Sequence, residues 1–140
     1  MRVMVLVKAN TESEAGVLPS PEFFAAMGKF NEELVKAGIM QAGEGLKPSA
    51  KGTRVRFAGK ERTVNHGPFP HTEELVAGFW LWQVKSKDEA IDWLKRAPFE
   101  DATVEIRPLY EAEDFASSDP SGELRESEAR LRAETERRKP

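Results

Sequence analysis

The sequence has no cysteine among its 140 residues. Disulfide frameworks, thiolate nucleophiles, cysteine zinc sites and iron–sulfur clusters are therefore excluded, and the fold must be held together by packing. Long hydrophobic runs are missing too, because the apolar stretch at residues 3–7 is far shorter than the roughly 20 residues that a membrane span needs. We therefore expect a cytoplasmic protein without a membrane partner.

Several enzyme motifs are also absent. There is no nucleophile elbow, phosphate-binding glycine loop or HExxH sequence, so serine-hydrolase and phosphoryl-transfer chemistry have no support. The formal charge of −3 argues against a general nucleic-acid binder, and we expect no nucleic-acid partner.

One segment departs from this charge balance. Between residues 47 and 62, six basic residues accompany a single acid, Glu61. Arg54 in this segment is a candidate for binding an anionic small molecule. The alternation of Arg54 and Arg56 with Val55 and Phe57 is equally typical of an exposed strand with one solvated face.

Eight Phe and three Trp provide enough apolar material for a sizeable core. Ser20 and Pro21 have the pattern of a helix start, and apolar residues recur at helical spacing until Gly38. Ser86 and Glu89 form a capping-box pattern that predicts a second helix. Strands are predicted at residues 3–7, 39–46, 53–57, 62–66, 75–84 and 103–109, the third and fourth forming a hairpin. This order predicts an α+β fold, a ferredoxin-like split βαβ sandwich with an inserted hairpin.

From about residue 116 onward the residues are mostly polar or charged, and few large apolar side chains remain. We therefore divide the chain into a domain at residues 1–115 and a charged C-terminal extension at residues 116–140. Acidic and basic residues alternate at short helical spacings along residues 123–138, which predicts a solvated helix. In isolation such a helix should fray.

Strand 75–84 places large apolar groups on both of its faces. Phe79 and Leu81 point one way, while Trp80, Trp82 and Val84 point the other. Two helices cover only one face of such a sheet, and an exposed apolar stripe commonly marks an interface or a ligand cavity. We therefore predict a homodimer with two sheets packed face to face, an α+β barrel, and assign Trp80 and Trp82 to substrate binding.

Both histidines lie in one segment, residues 64–74. His66 ends a predicted strand and precedes Gly67 and Pro68, a turn-forming pair, so its imidazole is a candidate general acid or base. His71 is a second catalytic candidate, and Gly67, Pro68 and Phe69 are candidates for substrate binding. The alternative is that the histidines are surface residues with backbone hydrogen bonds. Their spacing does not fit a helical metal site and no third ligand is specified, so we expect no metal or other cofactor.

Glu44 lies between Gly43 and Gly45, where the flexible backbone permits close approach of a ligand or another chain. Its carboxylate is a catalytic candidate that could orient a histidine or accept a proton. The alternative is a β-bulge with an outward-facing acid.

Residues 27–34 (MGKFNEEL), 43–49 (GEGLKPS) and 67–74 (GPFPHTEE) together resemble the YCII-related proteins, in particular the branch named for its Asp-Gly-Pro-Phe signature. The resemblance extends over residues 1–114. It implies a ferredoxin-like α+β barrel dimer, and this branch is commonly encoded near extracytoplasmic-function sigma factors. The family is suspected of catalysis through a His and Asp pair. Here His66 replaces the signature Asp, and residues 21–37 contain no histidine, so that pair is not transferred.

Two functions of different classes follow. The first is a homodimeric small-molecule-binding protein, acting as a cofactor-independent acid–base enzyme of the lyase, isomerase or hydrolase kind. The second is a non-catalytic accessory protein that contacts a regulator, such as a sigma factor, through its tail and hairpin. A location of His66 in an enclosed pocket beside Glu44 would favour the first function, and a location on an open surface would favour the second.

Overall fold

A computed structural model describes all residues from 1 to 140 and divides the chain into two compact units, Met1–Pro108 and Leu109–Pro140. The strands and helices are, in chain order, β1 (Arg2–Lys8), α1 (Thr11–Glu14), α2 (Pro21–Lys36), β2 (Met40–Gly45), β3 (Thr53–Ala58), β4 (Glu61–His66), β5 (Val76–Gln83), α3 (Lys87–Leu94), β6 (Val104–Pro108) and α4 (Glu123–Arg137). Short 3₁₀ turns at Ser49–Lys51, Thr72–Glu74 and Ala112–Ser118 were not predicted.

The main sheet has four antiparallel strands in the order β2-β5-β1-β6. The first strand therefore lies inside the sheet, as its unbroken apolar run predicted. With the hairpin β3–β4 set apart as a second, two-stranded sheet, this is the strand order of a ferredoxin-like sandwich. The predicted α+β fold with an inserted hairpin is confirmed.

Both predicted helices of the sandwich begin at the expected caps. The Ser20 side chain accepts a hydrogen bond from the Phe23 amide, with Pro21 in the first turn. The Ser86 hydroxyl accepts one from the Glu89 amide at 3.1 Å. These bonds satisfy amide groups that lack a partner within the helix.

The hydrophobic core lies between these helices and one face of the sheet. Its fully buried members include Trp82, Leu34, Val3 and Val5. Alternation along β5 was predicted correctly, but the helices cover the tryptophan face, so Trp82 is fully buried and Trp80 only 5% exposed within a single subunit. The inference that the indoles need a second subunit to cover them is therefore corrected.

The opposite face of the sheet is the one that the helices leave open. Met4 on β1 is paired with Leu81 on β5, and Leu6 with Phe79. All four side chains are partly exposed. This face therefore carries an apolar stripe of phenyl and aliphatic groups, without indoles.

The hairpin β3–β4 has no third strand, and every one of its residues is exposed. Val55 lies opposite Val64, and Phe57 opposite Arg62. The exposed fractions of Val55, Phe57 and Val64 are 47%, 65% and 56%. The expected solvated strand is thus present, with apolar side chains in solvent beside the basic ones.

The second unit, Leu109–Pro140, contains the predicted charged helix α4. It begins after Gly122, and Asp119, only 6% exposed, accepts hydrogen bonds from the amides of Leu124 at 3.2 Å and Arg125 at 2.9 Å. None of the helices of the protein is long and apolar enough to span a membrane.

Candidate functional site

A cleft of about 1170 Å³ opens beside the N-terminal half of α2. The loop before α2, strand β2, the start of β5 and residues 98–102 form its other walls. We call it the aromatic cleft, because Phe23, Phe79, Trp80 and Phe99 are among its lining residues. Its volume is somewhat above the roughly 300–1,000 Å³ of most small-molecule sites.

Three of these rings form a connected aromatic wall. The ring centroids of Phe23 and Phe99 are 5.8 Å apart, and those of Trp80 and Phe99 are 6.2 Å apart with the planes close to perpendicular. Such tilted and edge-to-face pairs are favourable arrangements of aromatic rings. Phe23 and Phe99 are only half-buried, so the wall is accessible to a ligand.

Trp80 is fixed in this wall by polar and steric contacts. Its indole Nε1 donates a hydrogen bond to the Asn31 Oδ1 atom at 2.9 Å. A Cβ added to Gly43 would lie 2.7 Å from Trp80 Cδ1 and 2.8 Å from Met40 Cε. Glycine at position 43 therefore makes room for the indole beside β2.

Charged residues also line the aromatic cleft. Two lysines contribute positive charge, Lys8 and Lys47. The acidic lining residues are Glu12, Glu22, Glu44, Glu100 and Asp101. All five acids are exposed, so they keep access to water. The rim is consequently acidic.

Glu44 is the one predicted catalytic residue that lines the aromatic cleft. It is paired with Phe79 in the sheet, and the irregular register of β2 lies earlier, between Met40 and Ala42. The anticipated bulge is therefore not centred on the Gly-Glu-Gly segment. Because directly paired residues of an antiparallel sheet share a face, the Glu44 side chain lies on the side of Phe79 and not on the side of Trp80.

His66 does not line this cleft. It is exposed at the end of β4, and its Nδ1 atom is 3.1 Å from the hydroxyl oxygen of Thr53 on the paired strand. The predicted partnership of His66 with Glu44 in one pocket is thus not formed, because the hairpin is a separate sheet. His66 has the environment of a surface histidine with a local polar partner, which is the location expected for a non-catalytic accessory protein.

His71 also lies outside the cleft, exposed and in a left-handed backbone conformation with φ 63°. Its Nδ1 atom is 3.8 Å from the Glu73 carboxylate. The possible ligand atoms of His71, Glu73 and Glu74 lie within 4.8 Å of one another, and all three residues are exposed. Sequence reasoning identified the two histidines but not this grouping.

Gly67, Pro68 and Phe69 form the base of the hairpin. A Cβ on Gly67 would lie 1.7 Å from the Ser49 carbonyl oxygen, so only glycine fits there. The guanidinium of Arg54 lies 3.9 Å from the centroid of the Phe69 ring, a stacking contact. None of these four candidate substrate-binding residues lines the aromatic cleft, and neither does Trp82, which belongs to the core.

Sequence reasoning missed residues that organise this region. Glu14 and Ser49 are hydrogen-bonded through both the amide and the hydroxyl of Ser49, although 35 positions separate them. Asn31 and Phe23 were overlooked as cleft residues. Phe23 could have been identified from the sequence, because it belongs to the apolar stripe of the predicted helix and lies within one turn of the start of that helix.

Comparison with known proteins adds a family match. The family model of the YCII-related domain matches residues 1–113. The uncharacterized protein R00369 of Rhizobium meliloti (strain 1021) is 35% identical over 78 residues, 54% of this chain and 63% of that relative, so less than two thirds of the relative's length is matched. Among solved structures, 5-chloro-2-hydroxyhydroquinone dehydrochlorinase (TftG) from Burkholderia phenoliruptrix AC1100, in complex with 2,5-dihydroxybenzoquinone, is similar over 81% of this chain and 98% of its own, with 19% identity and a TM-score of 0.39.

Proposed function

The chain belongs to the YCII-related family, and from this premise we propose that it is a cytoplasmic homodimer that binds a small organic molecule in the aromatic cleft. The observation that carries the proposal is the cleft itself, with an accessible wall of aromatic rings and a charged rim. Concave sites with apolar walls and a few polar groups are the usual form of small-molecule sites.

The chemistry we propose for this site is acid–base catalysis without a cofactor, with Glu44 as the proton-transferring group. The Glu44 carboxylate, on the sheet face that also carries Phe79, can accept a proton from a bound molecule and return it to another atom. Lys8 and Lys47 also line the cleft, and their ammonium groups would stabilise negative charge that develops on the substrate. His66 and His71 are not part of this mechanism.

Ligand binding is tested by the shift of the melting temperature across a metabolite panel, since binding to the native state raises it. Ala26 lines the cleft, whereas its neighbour Ala25 does not, and both are exposed residues of α2. We expect Ala26→Trp to fill the cleft and abolish the shift, while Ala25→Trp preserves it. Equal shifts in both variants would place the ligand elsewhere.

The role of Glu44 is tested once turnover of a substrate is found. We expect Glu44→Gln to lower kcat by about 10²- to 10⁴-fold, the usual contribution of a positioned acid or base. His66→Ala should leave turnover unchanged. The opposite result, full activity of Glu44→Gln, would remove Glu44 from the chemistry.

The proposed homodimer rests on the open face of the main sheet, where Met4, Leu6, Phe79 and Leu81 form a partly exposed apolar stripe. Packing this face against the same face of a second copy would bury the stripe and give the α+β barrel arrangement. Sedimentation should find a dimer that Leu6→Glu converts into monomers. A monomeric wild-type protein would contradict the proposal.

A second candidate function is a non-catalytic role in contacting a regulator such as an extracytoplasmic-function sigma factor. The exposed apolar side chains of Val55, Phe57 and Val64 on a basic hairpin favour it, because such patches often mark protein contacts. Binding to a purified sigma factor of this class should be lost on truncation after Glu113 and on Phe57→Ser. Retained binding in both variants would exclude these surfaces.

A further inference from the structure

We propose that the ligand of the aromatic cleft is an organic cation with a flat apolar body, such as an aromatic or heteroaromatic amine. The inference rests on the proposed function and adds the charge and shape of the molecule. It also departs from the anionic ligand that the basic segment of the sequence suggested.

The first argument is the balance of charge around the cleft. Five acidic residues line it, Glu12, Glu22, Glu44, Glu100 and Asp101, and only two basic residues, Lys8 and Lys47. Charges of one sign around a concave site attract ligands of the opposite sign and raise their local concentration. An anion would meet a net repulsion in this cleft.

The second argument concerns where the basic residues lie. Of the six basic residues between positions 47 and 62, only Lys47 lines the cleft. Arg54 instead stacks on Phe69 at the base of the hairpin, and Arg62 lies 4.6 Å from the centroid of the Phe57 ring. The positive charge of this segment is thus associated with the hairpin rather than with the cleft.

The third argument is the chemistry of the aromatic wall. Aromatic faces attract ammonium groups through their quadrupole, and Phe23, Trp80 and Phe99 form a connected set of rings. The indole N–H of Trp80 is already bound to Asn31 at 2.9 Å, so this donor is not free for an anion. Acidic residues and aromatic rings that line the same cleft therefore favour a cation that also has an apolar surface to pack.

The experiment compares three probes of nearly the same size, namely benzylammonium, benzyl alcohol and benzoate. Binding is measured by amide chemical shifts of the full-length protein, so the residues that respond identify the site. We expect benzylammonium to bind the cleft about three- to tenfold more tightly than benzyl alcohol, as a cation–π contact with nearby carboxylates provides, and benzoate to bind most weakly. Added salt should reduce the preference for the cation.

Two variants of equal charge change provide the control. The triple variant Glu22→Gln, Glu44→Gln, Asp101→Asn removes three cleft acids, and we expect it to bring benzylammonium to the affinity of benzyl alcohol. The matched variant carries Glu32→Gln, Glu61→Gln and Asp88→Asn, three exposed acids that do not line the cleft, and should retain the preference.

The outcomes separate this inference from the proposed function. Binding of all three probes in the cleft with equal affinity, or with benzoate tightest, would overturn the cation inference and leave small-molecule binding standing. Responses outside the cleft that persist in Ala26→Trp, or no response to any probe, would overturn the inference as well. In that case ligand-induced melting shifts decide the proposed function separately.

Discussion

The carboxylate of Glu14 accepts two hydrogen bonds from Ser49, one from its backbone N–H at 2.9 Å and one from its hydroxyl at 2.5 Å. The same hydroxyl oxygen accepts a hydrogen bond from the Phe69 amide at 3.0 Å. The short helix α1, the turn at Ser49–Lys51 and the base of the hairpin are thereby connected through one serine. Loss of the carboxylate should loosen all three segments together.

The first prediction concerns Glu14 and pH. Hydrogen bonds from the Ser49 hydroxyl and amide lower the pKa of Glu14 from its ordinary value of 4.5. Because the folded-state pKa is depressed, this stabilisation is fully present above the unfolded-state value and is lost as the pH falls through the folded-state value. Urea unfolding should therefore find Glu14→Gln less stable than the wild type near neutral pH, with the difference shrinking well below pH 4.5.

Glu12→Gln is the control for this prediction, since Glu12 is exposed on the same helix. Its stability should match that of the wild type throughout the pH range. A difference between the wild type and Glu14→Gln that stays constant down to the acid limit would show that the charge of Glu14 does not contribute.

The second prediction compares two glycines of β2. Gly43→Ala places a Cβ 2.7 Å from Trp80 Cδ1, and forcing the indole to move should cost about 1–3 kcal/mol of unfolding free energy. Gly45→Ala meets nothing within 4 Å, so it should be neutral or slightly stabilising. Denaturant unfolding followed by tryptophan fluorescence measures both, and equal effects would contradict this account.

The third prediction concerns Asn31, which accepts the indole hydrogen bond of Trp80. Asn31→Ala leaves a buried donor without its partner and should cost about 1–3 kcal/mol. Asn31→Asp keeps an acceptor oxygen and should recover part of this loss. Asn65→Ala, an exposed change on the hairpin, serves as the control in the same denaturation assay. An unchanged stability in Asn31→Ala would mean that Trp80 is held by packing alone.

The fourth prediction concerns the start of α4. Burial raises the pKa of Asp119, but hydrogen bonds from the amides of Arg125 and Leu124 and from the Arg125 guanidinium outweigh it and lower the pKa from 3.8. The ionised Asp119 should therefore cap the start of α4 at pH values above 3.8. This stabilisation should be lost as the pH falls through the lowered pKa of the folded state. Asp119→Asn should reduce the helical signal in circular dichroism near neutral pH, whereas Glu113→Gln should not.

Local patterns in the sequence were sufficient to predict most of the fold. Ser20, Pro21 and Ser86 fixed the helix starts, because capping depends on neighbouring residues only. Alternation along β5 separated Phe79 and Leu81 from Trp80 and Trp82. It did not tell which set faces the helices, since that choice depends on the packing of the whole sandwich.

The candidate site was predictable only in part, because it depends on contacts between distant segments. Glu44 was identified from its flanking glycines and does line the cleft. His66 was assigned to the same site, yet the hairpin that carries it forms a sheet of its own. No local pattern encodes the pairing of Glu14 with Ser49 or of Asn31 with Trp80.

The central position of β1 also affects how the protein is made. Strand β1 is synthesised before β5 and β6, its only partners, so Val5 meets Trp80 and Ile106 only after the intervening residues have been made. Contacts between such distant residues form slowly, because a long loop must close first. In the nascent chain, the apolar strand β1 therefore has two unpaired edges until β5 and β6 are synthesised. Protection by chaperones is most needed in that interval.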